Sequence, residues 1–347
     1  TDLVIEWRHA GSSTQLYFAS CTIWDREMKV LFMGTGPFAV PSLNAIHDSE
    51  HELVGLVTRP APTNLRRKQK PPINPMRDAA ESLGLRVWDP RDVNSSEGVE
   101  ILSSAAADLL VVCDYGQILS NEALATTPLG GINLHGSLLP KYRGAAPVHW
   151  AIYNGDLETG VTVIHMTPRL DGGPILERVT VKIESTETMP QLEARLSNLG
   201  RSCVLSAMLQ LEDWDGTSLI GELQDASQVS KAPRLTKEQG QIQWEQSAEQ
   251  IKNQVRAFQP WPGSYTWLLQ EDQEPLRLVL GDTRVGDALG GSPGQVHVGE
   301  GHRLWVETGA GGLEILQLQP AGKRMMLAAD FLRGYAPAAD ARMNSIQ

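Results

Sequence analysis

The chain of 347 residues is 41% hydrophobic and 20% charged, the balance of a folded protein of about two domains. Its formal net charge of −11 argues against a general nucleic-acid binder, which carries a basic balance, and confines any polyanion contact to a local patch. No run reaches the roughly 18 apolar residues of a membrane helix. Cys21, Cys113 and Cys203 stand far apart without a C-x-x-C, as reduced cytosolic thiols do, which excludes a disulfide frame or a cysteine zinc site.

Residues 1–27 show no clear period and carry acids at both ends, unlike a secretory or transit signal. They are expected to be a leader outside the fold, translated upstream of a start at Met28, with an organellar or structural extension as the alternative. From Met28 short apolar runs alternate with helical stretches. KVLFM (29–33) reads as a strand, FAVPSLNAIH as a helix, HELVGLVT (51–58) as a strand and MRDAAESLG as a helix. LRVWD, DLLVVCD (108–114) and GGINLHGS follow as strands. Continuous apolar strands separated by helices predict an α/β domain, an open and mostly parallel Rossmann-like sheet covered on both faces. GVTVIHMT and GPILERVTVKI are too close together for a helical crossover and are expected to pair antiparallel at one edge. A helix over 189–213 closes this first domain, 28–214.

A polar, turn-rich stretch then reads as a linker, 215–233. After the helix SAEQIKNQVRAFQ the chain breaks at PWPG and becomes five short alternating strands with glycine-rich turns. That pattern predicts a small OB-like β-barrel over 234–337, followed by a tail, 338–347.

Three stretches carry candidate chemistry. GTGPFA (34–39) fits the dinucleotide fingerprint G-x-G-x-x-A, but the second strand ends in Thr58 and Arg59 where an acid would bind the ribose. A tight strand-to-helix turn is the expected reading over a nucleotide site. Asn133 and His135 lie two apart at a strand's end and so point to one side, and Asp171 lies in a glycine-rich turn between two strands. A carboxamide donor, an imidazole and a carboxylate suit acyl transfer, although all three residue types also favour turns. NLRRKQK (64–70) offers Arg66, Arg67, Lys68 and Lys70 without an acid, as a solvated loop or a phosphate-binding one.

MKVLFMGTGPFAVPSL, INLHGSLLPKYRGAAPVHWAIYNGD, ETGVTVIHM, LDGGPI, RLTKEQGQIQW, QVRAFQPWPGSYT and LQPAGKRMM resemble, in order and across 28–335, the methionyl-tRNA formyltransferases. The resemblance implies transfer of a formyl group from 10-formyltetrahydrofolate to the α-amino group of methionyl-initiator tRNA by a metal-free, monomeric cytoplasmic enzyme of bacterial type. It implies a catalytic trio of Asn133, His135 and Asp171, with Ser137, Leu138, Leu139 and Pro140 lining the folate site and Gln117, Ile118 and Leu119 forming its other wall. tRNA contacts are expected from Arg66, Arg67, Lys68, Lys70 and Arg143, and from Lys323 and Arg324 in the barrel. Two rivals share the trio: formylation of a sugar-nucleotide amine, and hydrolysis of the formyl-folate. The sequence departs from the family at Gly36, where proline is common, and at Asp114, where alanine is usual. It also departs in the loop after the second strand.

Overall fold

The structure, a computed structural model, describes residues 27–62, 73–338 and 340–344. The expected leader, Glu27 apart, and the basic loop with Arg66, Arg67, Lys68 and Lys70 lie outside the described residues.

The first unit starts with β1 (Lys29–Gly34), buried from its second residue on, as a strand covered on both faces must be. A 3-10 turn, Pro37–Ala39, leads into α1 (Val40–His47), and β2 (Glu52–Val57) follows. Next come α2 (Pro75–Ser82), capped by Asn74, and the two-residue β3 (Val87–Trp88). α3 (Ser96–Ser104), capped by Ser95 and not anticipated from its weak apolar period, precedes β4 (Leu109–Cys113). The short α4 (Asn121–Leu124) then leads to β5 (Gly131–His135). Beyond β5 come β6 (Arg143–Gly144), α5 (Pro147–Tyr153), β7 (Glu158–His165), β8 (Ile175–Lys182) and α6 (Met189–Glu212).

The sheet order is β3-β2-β1-β4-β5-β7-β8. Pairing is parallel from β3 to β5 and antiparallel at β7 and β8, the mixed edge that the close spacing of those strands requires. The chain runs outward from β1 to β3 and returns on the other side of β1 at β4. The carboxyl ends of β1 and β4 therefore diverge into a crevice, the place where open α/β sheets bind ligands.

The stretch read as a linker is pinned to this unit rather than spanning free space. Glu222 bridges to Ile175, and β9 (Lys231–Ala232) pairs in parallel with β6. α7 (Ala248–Ala257) follows, with a Ser247–Gln250 capping box. The second sheet contains β10 (Ser264–Leu269), β11 (Leu276–Gly286), β12 (Val296–Gly299), β13 (Arg303–Glu307), β14 (Gly312–Pro320) and β15 (Met326–Leu327). α8 (Ala328–Gly334) and β16 (Arg342–Asn344) complete it. Its order, β12-β13-β14-β11-β10-β16, is antiparallel throughout, and a bridge between Gln295 and Arg342 brings its two edges together as a nearly closed barrel. The segment expected as a tail thus supplies β16, because Met343 is buried in the barrel core and Leu268 gains a backbone partner there. No helix among the described residues is long and apolar enough to cross a membrane.

Candidate active site

β5 delivers two side chains to the carboxyl edge of the first sheet. Asn133 and His135 point the same way by strand alternation, between β4 on one side and β7 on the other. Asp171 reaches the same place from the turn between β7 and β8, held at a φ of 47°. All three line one cavity of about 440 Å³, a size that suits a small-molecule site.

The imidazole's hydrogen placement follows from its partners. Nε2 of His135 lies 2.9 Å from the Tyr142 carbonyl oxygen, which only accepts, so that nitrogen carries a hydrogen. Nδ1 is then the ring atom that gains or loses a proton, and it faces Oδ1 of Asp171 at 3.8 Å. That separation is too long for a hydrogen bond and leaves room for a water between the two groups. The other Asp171 oxygen accepts the Gly144 N–H at 2.8 Å, which fixes the carboxylate in place. Gly144 must be glycine here: its φ is +129°, and a β-carbon would fall 2.5 Å from the Ala232 carbonyl oxygen across the β6–β9 pairing. Among the described residues the Asn133 carboxamide has no hydrogen-bond partner, so its N–H donors remain free for a ligand.

Gln117, Ile118 and Leu119 line the same cavity. The Gln117 amide is already engaged, accepting from the Val93 N–H and donating to the Arg91 carbonyl. It secures that wall from behind, while Ile118 presents an apolar surface that is 57% exposed.

Ser137, Leu138, Leu139 and Pro140 are placed elsewhere. None of them lines the cavity of the trio; Leu138, Leu139 and Pro140 line a separate hollow of about 930 Å³. Ser137 is buried, its hydroxyl donates to the Lys141 carbonyl, and its own carbonyl accepts from Thr162 Oγ1, which also accepts from the Leu139 N–H. These bonds shape the loop that returns the Tyr142 carbonyl to His135. Arg143, expected at the tRNA, is buried, with its guanidinium donating twice to Gln224 Oε1. A contact with a polyanion needs an exposed head, and this one is turned into the loop. Burial and the nearby Arg169 lower its pKa while Asp171 opposes them. Lys323 and Arg324 are exposed, in the turn between β14 and β15.

The cavity also has members that sequence reading passed over. Glu193 enters from α6, His149 from α5, and Arg169 and Arg234 from loops. Burial pushes the pKa of His149 down to about 4, so it is neutral near pH 7. Nothing in the pattern of α6 singles out Glu193, whose pKa is raised by burial and by Asp114.

Away from the cavity, Glu50, His51 and Glu212 bring ligand-type atoms within 4.8 Å of one another. Nδ1 of His51 accepts from the Met28 N–H, so in the neutral ring Nε2 carries the hydrogen and has no lone pair to offer a metal.

Family models agree with this architecture. Residues 28–208 match the model of the formyl transferases, and residues 234–336 match that of the formyl transferase C-terminal domain. The chain is 45% identical to a methionyl-tRNA formyltransferase of Rhodopirellula baltica, over 89% of this chain and 94% of that protein. It is 39% identical to one of Solibacter usitatus, over 88% and 96%. Among solved structures it superposes on WlaRD, a sugar 3N-formyl transferase crystallised in the presence of dTDP and 5-N-formyl-THF, with a TM-score of 0.60 at 18% identity, covering 86% of this chain and 100% of that one.

Proposed function

The chain belongs to the formyl transferase family, and from that premise we propose that it transfers a formyl group from 10-formyltetrahydrofolate to the α-amino group of methionyl-initiator tRNA. The observation that carries this reading is the meeting of Asn133, His135 and Asp171 in one cavity at the carboxyl edge of the sheet. The cavity suits the folate: it has an apolar wall at Ile118 and Leu119 beside an unspent carboxamide.

Bound there, the folate supplies the formyl carbon. The Asn133 N–H and the hydrogen-bearing Nδ1 of His135 stabilise the negative charge that builds on the formyl oxygen as the amine adds. Asp171 holds that imidazolium charge across 3.8 Å and takes part in moving the amine's proton, with water bridging a gap too long for direct transfer. A carbon–nitrogen bond forms to the amine, the bond to folate N10 breaks, and one proton leaves the amine while one reaches N10. Residues 28–214 carry this chemistry. The barrel over 234–337 holds the tRNA, with Lys323, Arg324 and the basic loop of Arg66, Arg67, Lys68 and Lys70 as its cationic contacts. The enzyme works as a metal-free monomer in the cytoplasm, where initiator tRNA is charged.

Formylation of an amino-sugar nucleotide draws support from the fold alone, at 18% identity, against 45% for a methionyl-tRNA formyltransferase. The test incubates the purified chain with 10-formyltetrahydrofolate and, separately, charged initiator tRNA or an amino-sugar nucleotide. Formylmethionyl-tRNA is the expected product; a chain that formylates only the sugar, or only releases formate, overturns the reading.

A further inference from the structure

Two of the departures from the family's sequence, Gly36 and Asp114, meet in space. A β-carbon on Gly36 would lie 1.6 Å from Oδ2 of Asp114, so the carboxyl occupies the volume that any side chain at 36 would need. The turn after β1 and the end of β4 are tied together around it: the Thr35 N–H donates to the Asp114 carbonyl and the Thr35 hydroxyl to the Tyr115 carbonyl. Asp114 has a φ of 48°, a conformation that Asp and Asn tolerate better than most residues. It lines the same cavity as the trio.

Its position within that cavity is defined. Asp114 follows the last residue of β4 and lines the same cavity as His135, whose strand β5 pairs with β4. Gln117, Ile118 and Leu119 form the cavity's folate wall. Asp114 lies within electrostatic reach of two other residues of the cavity lining, Glu193 and Arg234. Two carboxyls against one guanidinium leave these three groups with a negative balance when both acids are ionised. Among the described residues the Asp114 carboxylate accepts no hydrogen bond and lies in no ion pair within 4 Å, so its oxygens are unspent at the cavity.

We propose that Asp114, in the space opened by Gly36, is the recognition residue for the cationic amino group of the acceptor. The inference rests on the formyl-transfer reading above and adds to it a residue for the acceptor side of the reaction. An amino ester arrives largely as its ammonium form. A carboxylate in that cavity receives that ammonium by charge-assisted hydrogen bonds and holds its nitrogen in the site. The ammonium gives up one proton to water before the freed amine attacks the formyl carbon. Although the carboxyl is exposed to the cavity, the protein packed around it pushes its pKa up to about 6, with Arg234 pulling it down; it is still ionised at neutral pH. The same acid repels phosphate from the GTGPFA turn, which excludes the dinucleotide reading of that motif.

The experiment measures formylation of methionyl-tRNA by the full chain and by Asp114→Asn, an isosteric change that keeps the φ and removes the charge. Inhibition by the same tRNA esterified with the hydroxy-acid analogue of methionine is measured in parallel. The expected result is a fall of about 10- to 100-fold in kcat/KM for methionyl-tRNA, the worth of a hydrogen bond to a charged group. The KM for folate and the inhibition by the hydroxy-acid ester stay unchanged. Gly36→Ala, which displaces the carboxyl, is expected to lose as much as Asp114→Ala, and the double variant no more than either. An unchanged kcat/KM in Asp114→Asn, or an equal loss of binding for the hydroxy-acid ester, overturns the proposal. A wild-type chain that formylates no methionyl-tRNA would instead sink the functional reading beneath it.

Discussion

Asn133 on β5 and Asp114 just beyond the end of β4 are polar residues whose side chains are left unspent at the same cavity. A carboxamide held without protein partners is preorganised for charge that appears only during the reaction. Asn133→Ala is therefore expected to lower kcat by about 10²–10³ while the KM for folate moves little; steady-state kinetics with both substrates varied checks it. Asp114 has a different cost. Its folded pKa of about 6 lies above the ordinary 3.8, so the folded chain binds more protons than the unfolded one between those values. Stability falls as pH rises through that window, and the whole penalty is present by pH 7. Asp114→Asn should accordingly raise Tm at pH 7, with a gain that shrinks as the pH is lowered from 6 towards 4. Melting curves across that range test it, and a gain that does not depend on pH would contradict it. The trio's residue types were legible in the sequence because strand alternation aligns Asn133 with His135. Their link to Asp171 was legible through the family resemblance and not through spacing, because it depends on a turn 36 positions further on and on the fixed peptide of Gly144.

At the scale of elements, the stretch that reads as a linker acts as a strap. Gln224 receives two hydrogen bonds from Arg143 and donates to the carbonyls of Asp171 and Gly173, so one side chain joins the loop behind His135 to the turn that carries Asp171. The Ser230 carbonyl and hydroxyl take the N–H groups of Arg143 and Tyr142. Gln224→Leu leaves the Arg143 guanidinium and two carbonyls without this partner, at a cost of about 1–3 kcal/mol for each group left buried and unsatisfied. Its expected signature is a drop in kcat of about tenfold or more, greater than any change in KM, because it loosens the positions of catalytic groups rather than a substrate contact. Polar, turn-rich composition looks the same whether a segment crosses solvent or binds the edge of a site. The SLLP stretch shows the same limit of composition. Its apolar residues read as a ligand wall, yet Ser137 and Leu139 are buried in the loop's own bonding through Thr162.

Across the whole molecule, the second unit is docked and not tethered. α7 packs on α5, Phe258 stacks on Tyr153 with centroids 5.1 Å apart and planes 3° from parallel, and Trp150 Nε1 donates to the Pro233 carbonyl. Arg256, largely buried, donates to the carbonyls of Glu184 and Glu187. Ala257 and Phe258 belong to the same apolar cluster as β1 and β5, so the first core extends into the second half of the chain. Because α5 also supplies Pro147, Val148 and His149 to the cavity, this docking bears on the site itself. Phe258→Ala is expected to cost roughly 3–5 kcal/mol. It should also split a single urea transition into two, which fluorescence and circular dichroism recorded in parallel would reveal as curves that no longer coincide.

What the sequence determined alone was whatever depends on neighbouring residues: continuous apolar strands, the antiparallel edge forced by a short connection, the alternating strands of the barrel, and the common face of Asn133 and His135. Those features follow from local periodicity and from the reach of a short chain segment. The tertiary structure decided what depends on residues far apart in sequence. It turned Arg143 inward, carried SLLP away from the cavity, brought Arg342–Asn344 back as a barrel strand, and fitted the Asp114 carboxyl into the space left by Gly36. None of these can be read from spacing, because each is settled by which surfaces the packed sheet and barrel leave in contact.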